Sequence, residues 1–261
     1  MILEIVAAIG SGTLVGFALG LIGGGGSILA TPLLLYVVGI GSPHLAIGTG
    51  AVAVSASAYA NLIGHARKGH VWWRCAVVFA IVGVFGALAG SNLGKTVEGE
   101  KLLFLFGLAM IGVGAYMLKP RKPSSADVRK VDLRMCMLTG FMALLAGAAS
   151  GFFGIGGGFL IVPALILATG MPTINAIGTS LLAVGSFGLA TAVNYAGSGL
   201  VNWQIAAEFI IGGLLGGVAG MLLATRLGKA KQALSHIFAV LVFVVAAYVL
   251  YRSGSALIAS A

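Results

Sequence analysis

The stretch "GLIGGGGSIL" at residues 20–29 sets four consecutive glycines, Gly23, Gly24, Gly25 and Gly26, in an otherwise apolar run. Each glycine in a helix interior costs about 1 kcal/mol relative to alanine, so four together predict a break. In a hydrocarbon environment, broken backbone is tolerated only where protein or water takes up its N–H and C=O groups. Whatever surrounds these glycines must supply those partners.

The composition around the stretch places it in a membrane. Of 261 residues, 59% are hydrophobic and 8% charged, whereas soluble domains carry about 25% charged residues. Apolar segments of spanning length, roughly 17–25 residues, recur at 2–22, 44–63, 71–92, 101–118, 133–153, 174–196, 202–224 and 232–251. Two shorter ones, 27–39 and 158–170, read as half-helices or tilted spans. The expected fold is an all-α polytopic protein of the cell (inner) membrane, with eight full spans and two short or broken helices. The formal net charge is +9. The basic residues sit in short connections between spans, where they mark the cytoplasmic side, and form no nucleic-acid-binding stripe. The amino-terminal stretch carries Glu4 and no basic residue, unlike a cleavable signal peptide, so 2–22 reads as a retained helix. Cys75 and Cys136 lack the spacing of a disulfide framework or a metal site. No cofactor or metal ion is expected.

The chain is written twice. A basic linker at 119–132, containing proline and serine, divides a first transmembrane repeat, 1–118, from a second, 133–261. Gly16, Gly20, Gly23, Gly25, Gly26 and Pro32 recur 131 positions later as Gly147, Gly151, Gly154, Gly156, Gly157 and Pro163. "AIGT" at 46–49 recurs at 176–179, and Gly69, Val71 and Trp73 recur 130 positions on as Gly199, Val201 and Trp203. Charge orients the repeats. The linker cations place it in the cytoplasm, and Arg67 with Lys68, two spans earlier, agree. The equivalent connection at 197–200 carries no charge. The turn at 95–101 balances its lysines with Glu98 and Glu100, while its counterpart holds Arg226, Lys229 and Lys231 without an acid. Equivalent loops of opposite bias predict two inverted five-segment repeats, with both termini outside the cytoplasm.

Inverted repeats with interrupted helices are a transporter design. Each glycine run ends one helix and begins a short one, whose N-terminus presents unpaired N–H groups and partial positive charge. Such an end binds an anion without a cationic side chain. The candidate substrate-binding residues are Gly23, Gly24, Gly25, Gly26 and Ser27 in the first half, and Gly154, Gly156, Gly157 and Gly158 in the second. Thr49, and at the matched position Thr179 with Ser180, would complete an oxyanion shell, unless their hydroxyls bond back to their own helices. Spaced glycines such as Gly86 with Gly90, and Gly216 with Gly220, read as packing surfaces. Asn61 and Asn194 read as ties between helices, His44 and His65 as residues flanking spans, and Trp73 and Trp203 as interface anchors. Glu208 is the one acid set well inside a span and the candidate for proton coupling, the alternative being a wet position near the interface.

"GLIGGGGSILATPLLL" at 20–35 and "GFFGIGGGFLIVPALI" at 151–166, each followed by "AIGT", resemble the two halves of the sulfite exporter TauE/SafE family over nearly the whole chain. That resemblance implies movement of sulfite, sulfonates or related sulfur-containing anions across the cytoplasmic membrane. The expected function is secondary transport by alternating access, one half rocking against the other around an anion held at the glycine-rich helix N-termini near the midplane. The alternative is an anion channel with a fixed pore. Expected partners are the small anion, the lipid bilayer and a coupling proton or sodium ion; association into a homo-oligomer stays open. Without a nucleophile and base, a metal cluster or a Walker loop, an enzyme is not expected.

The topology is testable. Single cysteines replacing Lys68 and Ser125 in a cysteine-free background should be shielded from an impermeant thiol reagent in intact cells, and one replacing Ser198 should react. Labelling of positions 68 and 198 from the same side would exclude the inversion.

Overall fold

Closely spaced glycines set which helices of this chain lie against each other. The structure is a computed structural model that describes residues 2–118, 133–154, 158–226 and 231–259. Its first half holds α1 (Ile2–Ile22), a 3-10 helix (Gly23–Leu29), α2 (Ala30–Tyr36), α3 (Pro43–Arg67), α4 (Trp73–Thr96) and α5 (Gly99–Leu118). The second holds α6 (Leu133–Phe153), α7 (Gly158–Thr169), α8 (Thr173–Ala196), α9 (Trp203–Arg226) and α10 (Lys231–Ala259). The expected linker lies outside the described residues. Local chemistry fixes the ends. Ser42 caps α3 by accepting from the Leu45 N–H at 3.3 Å, with Pro43 at the first helical position.

Five stretches are long and apolar enough to cross a membrane: Leu3–Tyr36, Pro43–Arg67, Trp73–Thr96, Thr173–Ala196 and Trp203–Ala224. Met137–Phe153 in α6 and Val242–Ala256 in α10 are apolar but shorter. The sequence reading counts eight full spans, and the remaining three fall on α5, α6 and α10. Leu3–Tyr36 is not one straight span, because the chain reverses within it. A methyl built on Gly26 would run into the backbone of Ala18 and Leu19, which an uninterrupted helix would hold about 10 Å away.

The glycine contacts give the directions of the helices. Gly12, Gly16 and Gly20 of α1 meet Phe209, Gly213 and Gly217 of α9, with numbers rising together, so the two helices run parallel. Gly83, Gly86, Gly90 and Gly94 of α4 meet α6 at Ala143, Leu144, Ala148 and Phe152, again in parallel. By contrast, α3 and α8 run antiparallel: Gly48 meets Tyr195, the Ser55 hydroxyl donates to the Gly185 carbonyl at 2.7 Å, and Tyr59 pairs with Ser186 at 3.1 Å. The pair α5 and α10 is antiparallel too, through Gly107 on Leu250 and Gly114 on Phe243. One end of the bundle therefore carries the α3–α4 connection, residues 68–72, and the other the α8–α9 connection, residues 197–202.

These contacts sort six helices into two groups that mix the halves. One group is α1, α3 and α9; the other is α6, α8 and α4. They meet along α3 and α8. The expected picture of one half rocking against the other is corrected here, because α1 is locked to α9 and α4 to α6 backbone against backbone. Between helices immersed in lipid, association rests on such close van der Waals approach. The outward faces of α4 and α9 display Val77, Val78, Ile81 and Phe85, and Ile211, Leu214, Leu215 and Val218, respectively. Apolar stripes of that extent are rare on soluble monomers and suit contact with lipid.

Gly16→Ala would press a methyl into the Gly213 carbonyl, and Gly147→Ala one into that of Gly83. Each should lower stability by about 1–3 kcal/mol, read as a lower melting temperature in detergent. Gly10→Ala, which meets no atom within 4 Å, should leave it unchanged.

Candidate functional site

The break predicted at the glycine run is at Gly23. Its φ of +77° lies in the left-handed region, which a glycine enters without the clash a side chain brings. The run then winds into the 3-10 helix, with its tighter i to i+3 pairing. The short helix thus starts at Gly23 rather than at Ser27, and becomes α-helical at Ala30. Residues Gly23 to Leu29 are all buried. The Ser27 hydroxyl donates to the Gly24 carbonyl at 2.8 Å, so it serves the turn first.

The four glycines do different things. Gly23 makes the reversal, with its added methyl position 3.0 Å from Ser180 Oγ and 3.1 Å from Ile177 Cα. Gly26 permits the fold-back onto α1. Gly25 has room: a methyl there would meet only Ile22 Cγ2, at 3.3 Å.

The second half repeats the arrangement at the other end. Gly154 has φ +67° and lies against the Ile47 side chain. Gly156 and Gly157 lie outside the described residues, and Gly158 opens α7. Each glycine bend thus abuts the isoleucine of the other half's "AIGT": Gly23 on Ile177, Gly154 on Ile47.

The threonines of "AIGT" are fully buried and bond differently from either expectation. Thr49 Oγ1 accepts from the backbone N–H of Asn202 at 2.9 Å, and Thr179 Oγ1 from that of Trp72 at 3.0 Å. Each ties α3 or α8 to the unpaired N–H groups where α9 or α4 begins. Ser180 donates to its own helix, at the Ile177 carbonyl, 2.8 Å away.

The two positive-φ glycines lie at different ends of the bundle: Gly23 against Ser180 and Ile177 at the 68–72 end, and Gly154 against Ile47 at the 197–202 end. Ile47 lies level with Tyr195, through Gly48, and Tyr195 is 18 residues along α8 from Ile177. At 1.5 Å per residue the bends stand about 27 Å apart along the bundle. Antiparallel packing of α3 and α8 carries the two positive-φ glycines to opposite faces, while the short helices that follow them turn back into the bundle, the 3-10 helix packing on α7.

Polar groups beyond the bends differ between the ends. At the 197–202 end, Lys95 Nζ donates to Asn194 Oδ1 at 2.6 Å and to Ser198 Oγ at 3.1 Å, and lies 6.0 Å from the Tyr195 ring centre. Asn194 also donates to Ser91 Oγ at 2.6 Å, tying α8 to α4. Glu98, in the α4–α5 connection, is held below the usual carboxylate range by its hydrogen bond and ion pair with Lys101 at 2.7 Å. Glu208 is partly exposed and accepts from Gln204 at 3.1 Å; it joins neither bend. Among the described residues the carboxylates Glu4, Glu98, Glu100 and Glu208 all belong to this end. The 68–72 end carries Arg67, Lys68 and Arg74 instead. His65 is not at a wet interface but fully buried, with Nε2 3.2 Å from the Gly20 carbonyl. The sequence held the signal: Ser57, Asn61 and His65 are spaced i, i+4, i+8 on one buried face.

Known proteins are similar to this chain in sequence. The family model for the sulfite exporter TauE/SafE matches residues 8–249. A probable membrane transporter protein of Xylella fastidiosa (strain Temecula1) is 64% identical over 257 residues, covering 98% of each chain. The probable membrane transporter protein YunE of Bacillus subtilis is 26% identical over 230 residues, covering 80% of this chain and 84% of its own. MJ0441 of Methanocaldococcus jannaschii, likewise a probable membrane transporter protein, is 29% identical over 164 residues, 59% of this chain and 60% of its own. No solved structure matches.

Removing a threonine hydroxyl leaves a helix-start N–H without its acceptor, at about 1–3 kcal/mol. Thr49→Val and Thr179→Val should each lower the melting temperature, and Thr→Ser at either position should recover most of the loss.

Proposed function

Since this chain belongs to the sulfite exporter TauE/SafE family, we propose that it is a secondary transporter that carries a small sulfur-containing anion such as sulfite or a sulfonate across the cell membrane by alternating access. Its two halves are inverted repeats. The antiparallel course of the matched helices α3 and α8, and of α5 and α10, supports this, as does the exchange by which α1 packs on α9 and α6 on α4. The 68–72 end, with its cations, faces the cytoplasm.

One observation carries the mechanism: both glycine bends lie on the seam between the two helix groups, at opposite ends of it. Gly23 continues from α1 and meets α8; Gly154 continues from α6 and meets α3. A rocking of one group on the other, pivoting where Ser55 and Tyr59 bond Gly185 and Ser186, parts the contact at one bend while pressing the other shut. Thr49 and Thr179 bond within their groups, so they keep each group rigid as the seam moves. An opened bend offers backbone N–H groups at a helix start, and the anion supplies the acceptor they lack. The substrate-binding residues are Gly23, Gly24, Gly25, Gly26 and Ser27 with Thr179 and Ser180 at one face, and Gly154, Gly156, Gly157 and Gly158 with Thr49 at the other. The sulfur anion fits because its several oxygens can each accept from a different N–H.

Proteoliposomes preloaded with sulfite should show saturable counterflow of labelled sulfite. Flux that rises linearly and shows no counterflow would favour a fixed pore. Gly25→Ala tests the bend, since the fold has room for the methyl. It should stay monodisperse and weaken sulfite affinity about 10-fold or more, the worth of one or two charge-assisted contacts at roughly 1.5–3 kcal/mol each. Unchanged affinity would remove Gly25 from the site.

A further inference from the structure

We infer that His65 is the proton-binding site that couples anion movement to the pH gradient, an inference that rests on the transporter reading above. An ionisable side chain enclosed within a span is costly and marks function by default. His65 is 0% exposed, in the last turn of α3. Its Nε2–H donates to the Gly20 carbonyl at 3.2 Å, three residues before the reversal at Gly23, so Nδ1 is the atom that gains or loses the proton.

The imidazole holds the α1 backbone that leads into the bend. Its ring centre is 5.8 Å from that of His70, whose backbone N–H donates to the His65 carbonyl at 3.0 Å. His70 lies in the connection whose carbonyl packs on Gly178 and whose Trp72 N–H bonds Thr179. Movement of α8 away from Gly23 therefore disturbs the connection that lies beside this ring. Imidazole is also the side chain whose ordinary titration falls in the physiological range.

The charges at this end set the sign. His65 shares its connection with Arg67, Lys68 and His70; α4 adds Arg74, and α9 ends at Arg226. Among the described residues α1 and α8 bring no ionisable group to this end, and no carboxylate lies here. An imidazolium among cations is opposed by its neighbours and favoured by an anion at the bend. Proton and anion thus promote each other's binding, reciprocally: a proton is taken up at Nδ1 with the anion and leaves with it, in the same direction. At the other end the matched position is Tyr195, fully buried. Its phenol titrates near pH 10 in the unperturbed state, so the coupling is one-sided.

His65→Gln keeps an N–H donor for Gly20 and removes the titration. In proteoliposomes, sulfite counterflow at equal pH and sulfite uptake driven by an inward proton gradient are measured for wild type, His65→Gln and His44→Gln, and compared as ratios in which the titration of sulfite itself cancels. His65→Gln should keep counterflow within about threefold and lose at least 10-fold in driven uptake; His44→Gln should match wild type. An unchanged ratio in His65→Gln, or equal loss of both fluxes, overturns the coupling role. If His65→Gln is not monodisperse, His65→Asn is judged by the same two outcomes. Wild-type protein that exchanges sulfite but ignores the proton gradient overturns this inference alone. Wild-type protein that exchanges no sulfite overturns the transporter reading and this inference together.

Discussion

A backbone that reverses inside an apolar bundle must find partners for groups that helical pairing no longer serves, and this constraint organises the molecule. At Gly23 the left-handed φ turns the chain, the 3-10 helix re-pairs the backbone beyond it, and the Ser27 hydroxyl closes on the Gly24 carbonyl. Gly23 itself lies against the other half of the chain, at Ile177 and Ser180, while Gly26 folds back on Ala18 and Leu19 of α1. Gly154 and Ile47 repeat the arrangement at the opposite end. A bend that needs the other half to enclose it couples the two halves wherever it moves.

The rest of the glycine content has a related cause. Helices in lipid gain little from burying apolar surface against each other, so contact must be close to be favourable. Gly16 on Gly213, and Gly147 on Gly83, bring backbones together without intervening side chains. The two tight parallel pairs join helices of different halves. In the alternating access we propose, the moving parts are α1, α3 and α9 against α4, α6 and α8; the hydrogen bonds described across the interface between them are chiefly those of Ser55 and Tyr59. The seam is well packed along α3 and α8 but carries little polar bonding.

The match between the two halves of the sequence is not complete, and the departures are chemical. His65 and Tyr195 occupy matched positions, 130 residues apart, both fully buried, yet only the imidazole ordinarily changes charge near neutral pH. Lys95, which hydrogen-bonds Asn194 and Ser198, is matched in the sequence by Thr225. Two ends built on one plan are thus free to differ in what they sense.

Much of this was legible in the residues. Apolar runs of spanning length gave the helices, with 2–22 and 133–153 coinciding with α1 and α6, because helix length in a bilayer is set by composition. The four-glycine run marked the bend, because only glycine turns cheaply into positive φ. The placement of those bends was not legible. Local sequence says that a helix breaks at Gly23 and at Gly154; it does not say that antiparallel packing of α3 and α8 sends the two breaks to opposite faces. Nor does it say that α1 interlocks with α9, that Thr49 and Thr179 serve the starts of α9 and α4, or that His65 is enclosed while Glu208 is partly exposed. Composition and periodicity act through near neighbours along the chain and decided the elements. Contacts between residues more than a hundred positions apart decided the site, and these exist only once the helices have packed.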